Sequence, residues 1–206
     1  MRRILSMMLM ICLIIGLTAC SGRNSEEAVD TDSGSEATVK ENGSSTGNTT
    51  LVVYFSATGN TKGVAEKIAA ITGADVYEIK AVQEYKDEDL DWNDSDSRTT
   101  HEQNDPNARP EIGSEDISLE DYETIYLGYP IWHGQAPRIM STFVEKYNFE
   151  GITVIPFCTS GSSGIGQSAV SLEDQAGSGT WLAGERFEGN TSEDELEAWI
   201  DEVRAE

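Results

Sequence analysis

Leu51-Val52-Val53-Tyr54-Phe55 is an unbroken apolar run of strand length, followed at once by the polar turn Ser56-Ala57-Thr58-Gly59-Asn60-Thr61 and then by a pattern of helical period. Apolar residues without alternation are what a strand buried on both faces requires, as in a parallel sheet covered by helices. Val64, Ala65, Ile68, Ala69 and Ile71 mark the buried stripe of the helix, and Gly73 supplies its stop. Strand, turn and helix in that order form the repeating half of a βαβ unit. The segment therefore commits the chain to an α/β fold built on a parallel sheet.

The same alternation continues along the chain. Ala74 to Ile79 reads as a second strand and Thr124 to Tyr129 as a third, ended by Pro130. Pro137 opens a helix that carries Ile139, Met140, Phe143, Val144 and Tyr147, a position where proline is tolerated because no intrahelical donor is lost. Ile152 to Phe157 is a fourth strand, a helix is expected within Ser162 to Ala176, and Thr180-Trp181-Leu182 supplies a short fifth strand. Ser192 with Glu195 forms a capping box ahead of an amphipathic helix to Val203, whose apolar face is Leu196, Trp199, Ile200 and Val203. The stretch from Ala81 to Leu119 is polar and longer than an ordinary loop, so it is expected to be a functional or partly helical excursion that covers a ligand. No internal repeat is visible.

The first residues follow a different rule. Met1-Arg2-Arg3 is basic, Ile4 to Leu17 is almost wholly apolar, and the apolar run falls short of the roughly 20 residues that span a bilayer. Leu17-Thr18-Ala19-Cys20 resembles the lipobox of bacterial lipoproteins. That resemblance implies a signal peptide over residues 1–19, lipid attachment at Cys20, and a protein held outside the cytoplasm on the cell membrane. Residues 20–49 hold the lipidated cysteine and a Ser-, Gly-, Thr- and acid-rich tether with too few apolar side chains to offset ordering entropy. A random coil of that length reaches about 30 Å. The folded domain is assigned to residues 50–206.

Loss of the signal removes Arg2 and Arg3 and leaves 12 basic against 37 acidic residues, a formal charge of −25. Such a surface repels nucleic acid and anionic headgroups, so no nucleic-acid partner is expected and membrane attachment rests on the lipid alone. Cys12 leaves with the signal and Cys20 is lipidated, so Cys158 is the single remaining thiol and no intramolecular disulfide forms in the mature chain.

Ligands of a parallel sheet bind beyond the carboxyl ends of its strands. The turn after Phe55 has the chemistry of a phosphate site there. Gly59 permits a tight bend, Ser56, Thr58 and Thr61 offer hydroxyls, Asn60 adds an amide, and a helix N-terminus follows. With one glycine and no Gly-Lys-Ser/Thr ending it is neither a dinucleotide fingerprint nor a P-loop. Tyr54-Phe55-Ser56-Ala57-Thr58-Gly59-Asn60-Thr61 resembles the FMN phosphate loop of the flavodoxin family. Gly128-Tyr129-Pro130-Ile131-Trp132-His133-Gly134 and Pro156-Phe157-Cys158-Thr159-Ser160-Gly161 resemble the second and third flavin loops of a flavodoxin-like subfamily.

Several expectations follow from that resemblance, which covers about residues 50 to 185. The fold is a three-layer sandwich with a five-stranded parallel sheet of order 2-1-3-4-5 and helices on both faces. Ser56, Ala57, Thr58, Gly59, Asn60 and Thr61 hold the FMN phosphate. Pro130, Ile131, Trp132, His133 and Gly134 pack against the isoalloxazine, and Thr159, Ser160, Gly161 and Gly164 line its other side. Trp132 is the natural stacking residue, with a plain core tryptophan as the alternative. His133 stands where a second aromatic is expected in the subfamily, and reads either as a solvated loop residue or as a flavin neighbour that makes the potential pH-dependent. By analogy, Gly134 permits a peptide rearrangement at the flavin.

Other motifs carry less. Asp91, Asn93, Ser95, Thr99 and Glu102 fall on a calcium-loop template, but Asp96 stands where that loop needs glycine, so a solvated acidic loop is preferred and no metal is assigned. Cys158 reads as a core thiol. Three functions compete. The leading one is an FMN-dependent electron-transfer flavoprotein whose partner is a redox protein or quinone outside the cytoplasm. The second is a flavin-dependent NAD(P)H:quinone-type oxidoreductase, for which no nucleotide fingerprint is visible. The third is a lipoprotein that kept the fold without flavin.

Overall fold

The computed structural model describes residues 48–205, so the signal peptide, Cys20 and nearly all of the tether lie outside the described residues. The elements run β1 (Thr50–Phe55), α1 (Asn60–Thr72), β2 (Asp75–Ile79), a 3-10 turn (Asp87–Leu90), α2 (Arg98–Asn104), β3 (Thr124–Pro130), α3 (Arg138–Lys146), β4 (Thr153–Thr159), α4 (Ser168–Ala176), β5 (Thr180–Trp181), β6 (Glu185–Phe187) and α5 (Glu193–Val203). The strands are all parallel, in the order β2-β1-β3-β4-β5, with β6 also on β4. This is the expected three-layer α/β fold.

Alternation along β1 divides the core. Leu51, Val53 and Phe55 face the layer of Ile139, Met140 and Phe143 from α3, while Val52 and Tyr54 face Val64 and Ile68 of α1 and Leu196 and Ile200 of α5. Both layers are buried, which is why β1 reads as a continuous apolar run rather than an alternating one. Gly73 ends α1 with φ of 71°, and its N–H bonds the Ala69 carbonyl. Ser192 caps α5 by accepting from the Glu195 N–H at 3.3 Å.

One element differs from expectation. The fifth strand is split, because β5 and β6 are separated by Leu182, Ala183 and Gly184. The Ile152 and Val154 carbonyls accept from Thr180 and Leu182, so every second residue of β4 turns its main-chain polar groups towards this edge. Pro156 is next in that series and has no N–H to give. Gly184 fills the break, since a Cβ there would sit 2.9 Å from the Pro156 carbonyl oxygen. The helix expected within Ser162 to Ala176 forms over Ser168–Ala176. Ahead of it the chain turns, with the Ser160 hydroxyl accepting from the Ser162 and Ser163 N–H groups and Gly166 at φ of 54°.

Candidate functional site

The turn Ser56–Thr61 lies beyond the carboxyl end of β1 and runs straight into α1. The Ser56 hydroxyl accepts from the Gly59 N–H at 3.1 Å, and the Asn60 amide donates to the Thr58 hydroxyl at 3.2 Å, so the loop is shaped by its own side chains. Gly59 holds φ of 87°, a left-handed value that only glycine adopts freely. Helix α1 has no side-chain cap and no acidic residue in its first turn. Helix α5 of the same chain has a serine cap and three acids there, Glu193, Asp194 and Glu195. The first N–H groups of a helix have no intrahelical partner and carry partial positive charge. Leaving that end bare in so acidic a chain suits an anion that satisfies it from outside.

The second loop is a tight hairpin. Trp132 and Gln135 exchange two main-chain hydrogen bonds of 2.9 Å, and His133 and Gly134 between them have φ of 48° and 75°. Positive φ at both central residues is the signature of a type I′ turn, which explains glycine at 134 and leaves His133 with the backbone strain. The polar excursion holds this hairpin from behind. Gln103 of α2 is buried and donates through Nε2 to the Trp132 carbonyl at 2.9 Å and the Ala136 carbonyl at 3.1 Å. Arg138 reaches back to the Glu102 and Gln103 carbonyls. The Thr100 hydroxyl lies 3.5 Å from His133 Nε2. The ring of Trp132 packs edge-on against Phe55 and Tyr85, with centroids 5.5 and 5.0 Å away, so its inner side belongs to the core while the residue also lines the cleft. Tyr85 is itself fixed by a 2.7 Å hydrogen bond to Glu102 and by Arg98 stacked 3.9 Å over its ring. Burial and the Glu102 carboxylate push the Tyr85 hydroxyl's pKa up.

The third loop leaves β4 at Thr159, whose hydroxyl meets that of Thr61 at 2.7 Å in a buried contact that ties the first and third loops together. Thr58, Asn60, Pro130, Ile131, Trp132, Thr159, Ser160 and Gly161 share one cleft of about 390 Å³. Ser56 and Ala57 line a neighbouring cleft along β1 and β2, Gly59 is exposed at the tip of its loop, and Thr61 is buried beneath it. His133 and Gly134 are exposed at the hairpin tip, and Gly134 borders a separate groove towards α4. Gly164 is exposed in the turn before α4 and does not line the cleft.

Sequence reasoning missed Glu188, Gly189 and Asn190, which close the cleft from the turn between β6 and α5. A Cβ on Gly189 would lie 2.5 Å from Asn60 Oδ1, so glycine is what lets this turn reach the first loop. Arg186 stitches it to the third loop by donating to the Ser160 carbonyl at 2.6 Å. The one local signal was the Glu188-Gly189-Asn190 turn sequence ahead of the Ser192 cap.

The remaining sequence candidates find structural roles. Glu102 is committed to Arg98 and Tyr85, and the Thr99 hydroxyl donates to the Asp89 carbonyl. Cys158 is fully buried in β4, and burial pushes its thiol up to about 12.

The family model described as Flavodoxin matches residues 49–203. Among solved structures, a candidate flavoprotein of Bacteroides eggerthii is 44% identical, with a TM-score of 0.71 over 75% of this chain and 97% of its own. A second, from Bacteroides uniformis, is 42% identical, with a TM-score of 0.72 over 75% of this chain and 99% of its own. A flavoprotein of Lactobacillus acidophilus, solved in complex with FMN, is 25% identical, with a TM-score of 0.54 over 74% and 99%. A search of curated proteins returns no match. The sheet order, the loops at its carboxyl edge and the family match over the described domain agree, and the chain belongs to the flavodoxin family.

Proposed function

We propose that the domain binds FMN in the cleft between the first, second and third loops and works as an electron-transfer protein, tethered by lipid at Cys20 to the outer face of the bacterial cell membrane. The observation that carries the cofactor is the bare N-terminus of α1, uncapped and free of acids behind Ser56–Thr61. Bound there, FMN supplies reversible one- and two-electron transfer. The chain's own residues do the rest. Thr58 and Asn60, with the first N–H groups of α1, hold the phosphate without needing a lysine, and Ser56 shapes the turn behind them through its bond to the Gly59 N–H. Pro130 to Trp132 and Thr159 to Gly161 form the walls for the ring system, fixed by Gln103 on one side and by the Thr61–Thr159 contact on the other. Glu188 at the cleft mouth and the general negative charge disfavour adding an electron, which lowers the reduction potential. The partner is then a redox protein or quinone outside the cytoplasm.

The cofactor is tested by titrating the whole chain into FMN and following flavin fluorescence. Saturable one-to-one quenching is expected, and a chain that leaves FMN fluorescence unchanged refutes the assignment. The anchor is tested by fractionation. Cys20→Ser is expected to move the protein out of the membrane fraction, and an unchanged distribution refutes it.

A further inference from the structure

Arg186 in β6 stands directly behind the third loop. Its Nη2 group donates to the Ser160 carbonyl at 2.6 Å and lies 3.5 Å from Glu188 Oε1. Ser160 and Glu188 both line the cleft, so one guanidinium meets the cleft wall at two points while sitting one residue back from its surface.

The shape of the loop does not call for a charge there. The Ser160 N–H donates to the Phe187 carbonyl at 3.1 Å, and its hydroxyl accepts from the Ser162 and Ser163 N–H groups. The Thr61–Thr159 contact ties the loop down from the other side. Only the Ser160 carbonyl is left for Arg186, and a neutral donor would serve it. The charge is also incompletely matched. The Arg186 side chain is 25% exposed, and its Nε is buried with no hydrogen-bond partner among the described residues. Glu188 is 59% exposed and meets it only at 3.5 Å. Desolvating a guanidinium is costly unless its partners are complete, so a charge kept in such a place is not there for stability alone.

Its position gives it an electrostatic role. Glu188 is the one charged side chain among the described residues that line the cleft, and Arg186 is the cation beside it. A charge partly out of water acts through a lower effective dielectric than one on the open surface. We infer that Arg186 raises the reduction potential of FMN in this cleft, opposing Glu188 and the acidic surface from behind the third loop. An added electron that is not matched by a proton leaves the cofactor more negative, and a fixed cation nearby favours that form. Loss of Arg186 also leaves the Glu188 carboxylate without its cation, so both consequences disfavour the electron. The inference rests on the FMN binding proposed above and extends it to the setting of the potential.

The test is the midpoint potential of the FMN-loaded whole chain, from dithionite titration against a reference dye, together with the affinity for oxidised FMN from fluorescence. Arg186→Gln keeps a donor for the Ser160 carbonyl and removes the charge. It is expected to weaken reduced FMN about tenfold more than oxidised FMN, a fall in midpoint of about 59 mV for a one-electron couple or about 30 mV for a two-electron couple. Arg186→Lys keeps the charge without the fork and is expected to remain within about threefold of the parent on the same scale. Glu188→Gln is expected to move the midpoint upward. Damage to the loop alone would weaken oxidised and reduced FMN together and leave the midpoint where it was. An unchanged or raised midpoint in Arg186→Gln therefore overturns the inference, as does an equal fall in Arg186→Gln and Arg186→Lys. A parent chain that leaves FMN fluorescence unchanged refutes the binding and this inference with it, whereas a parent that binds FMN with a midpoint indifferent to Arg186 refutes this inference alone.

Discussion

Replacing Gly128 by alanine tests the packing that aims the second loop at the cleft. Gly128 lies in β3 directly beside Phe157 of β4, and a Cβ there would stand 2.2, 2.6 and 2.7 Å from ring atoms Cζ, Cε2 and Cε1. Carbon atoms pack at about 3.5 Å, so the ring must retreat by about 1.3 Å. It has little room, because Phe157 is fully buried and packs against the Trp199 ring with centroids 6.4 Å apart. Overpacking of a tight core costs about 1 to 3 kcal/mol, and with both strands held in mid-sheet the upper end applies, about 3 kcal/mol. In urea, with a slope of about 2 kcal/mol per molar, the unfolding midpoint should fall by about 1.5 M. Phe157→Leu removes all three clashing atoms and should cost about 1 to 2 kcal/mol by itself. The double variant should then be more stable than the sum of the singles by about 1 to 2 kcal/mol. A Gly128→Ala midpoint equal to that of the parent chain, or simple additivity in the double variant, would refute the reasoning.

Three further outcomes are expected. Gly59→Ala forces a side chain into φ of 87°, so it should cost about 1 kcal/mol of stability and weaken FMN in a fluorescence titration, with Gly59→Asn milder. Gln103→Leu strips the Trp132 and Ala136 carbonyls of their side-chain donor and should lower stability by about 1 to 2 kcal/mol, with a parallel loss of FMN affinity measured by the same titration. The Cys158 thiol is raised by burial from 9.0 to about 12, so the folded state holds its proton more tightly than the unfolded chain does. Its contribution is full below pH 9 and is lost as pH rises towards 12. Native stability should therefore fall between pH 9 and 11 in urea titrations, less steeply in Cys158→Ala.

What could be read in advance was whatever depends on neighbours in the chain. The β1 run, the Gly59 bend, the Gly73 stop and the Ser192 cap all follow from local rules of burial, backbone freedom and capping, and each stands where its residues placed it. The excursion from Ala81 to Leu119 was legible only as an anomaly. Its length and polarity marked it out, but Gln103 becomes a support for the second loop through bonds that cross about thirty residues, and no periodicity encodes such a contact. Glu188 to Asn190 were overlooked for a related reason. Their place in the cleft depends on β6 starting late, after the gap that Pro156 imposes from the adjacent strand.

The sequence by itself thus determined the strand and helix alternation, the parallel sheet and the phosphate-suited turn after β1, since apolar period and glycine placement act within a few residues. Only the tertiary structure decided which loops share a cleft, that Trp132 leans on Phe55 and Tyr85, and that Arg186 of β6 stands behind Ser160 of the third loop. Those arrangements arise from strand register and close packing, which join residues that no local rule connects.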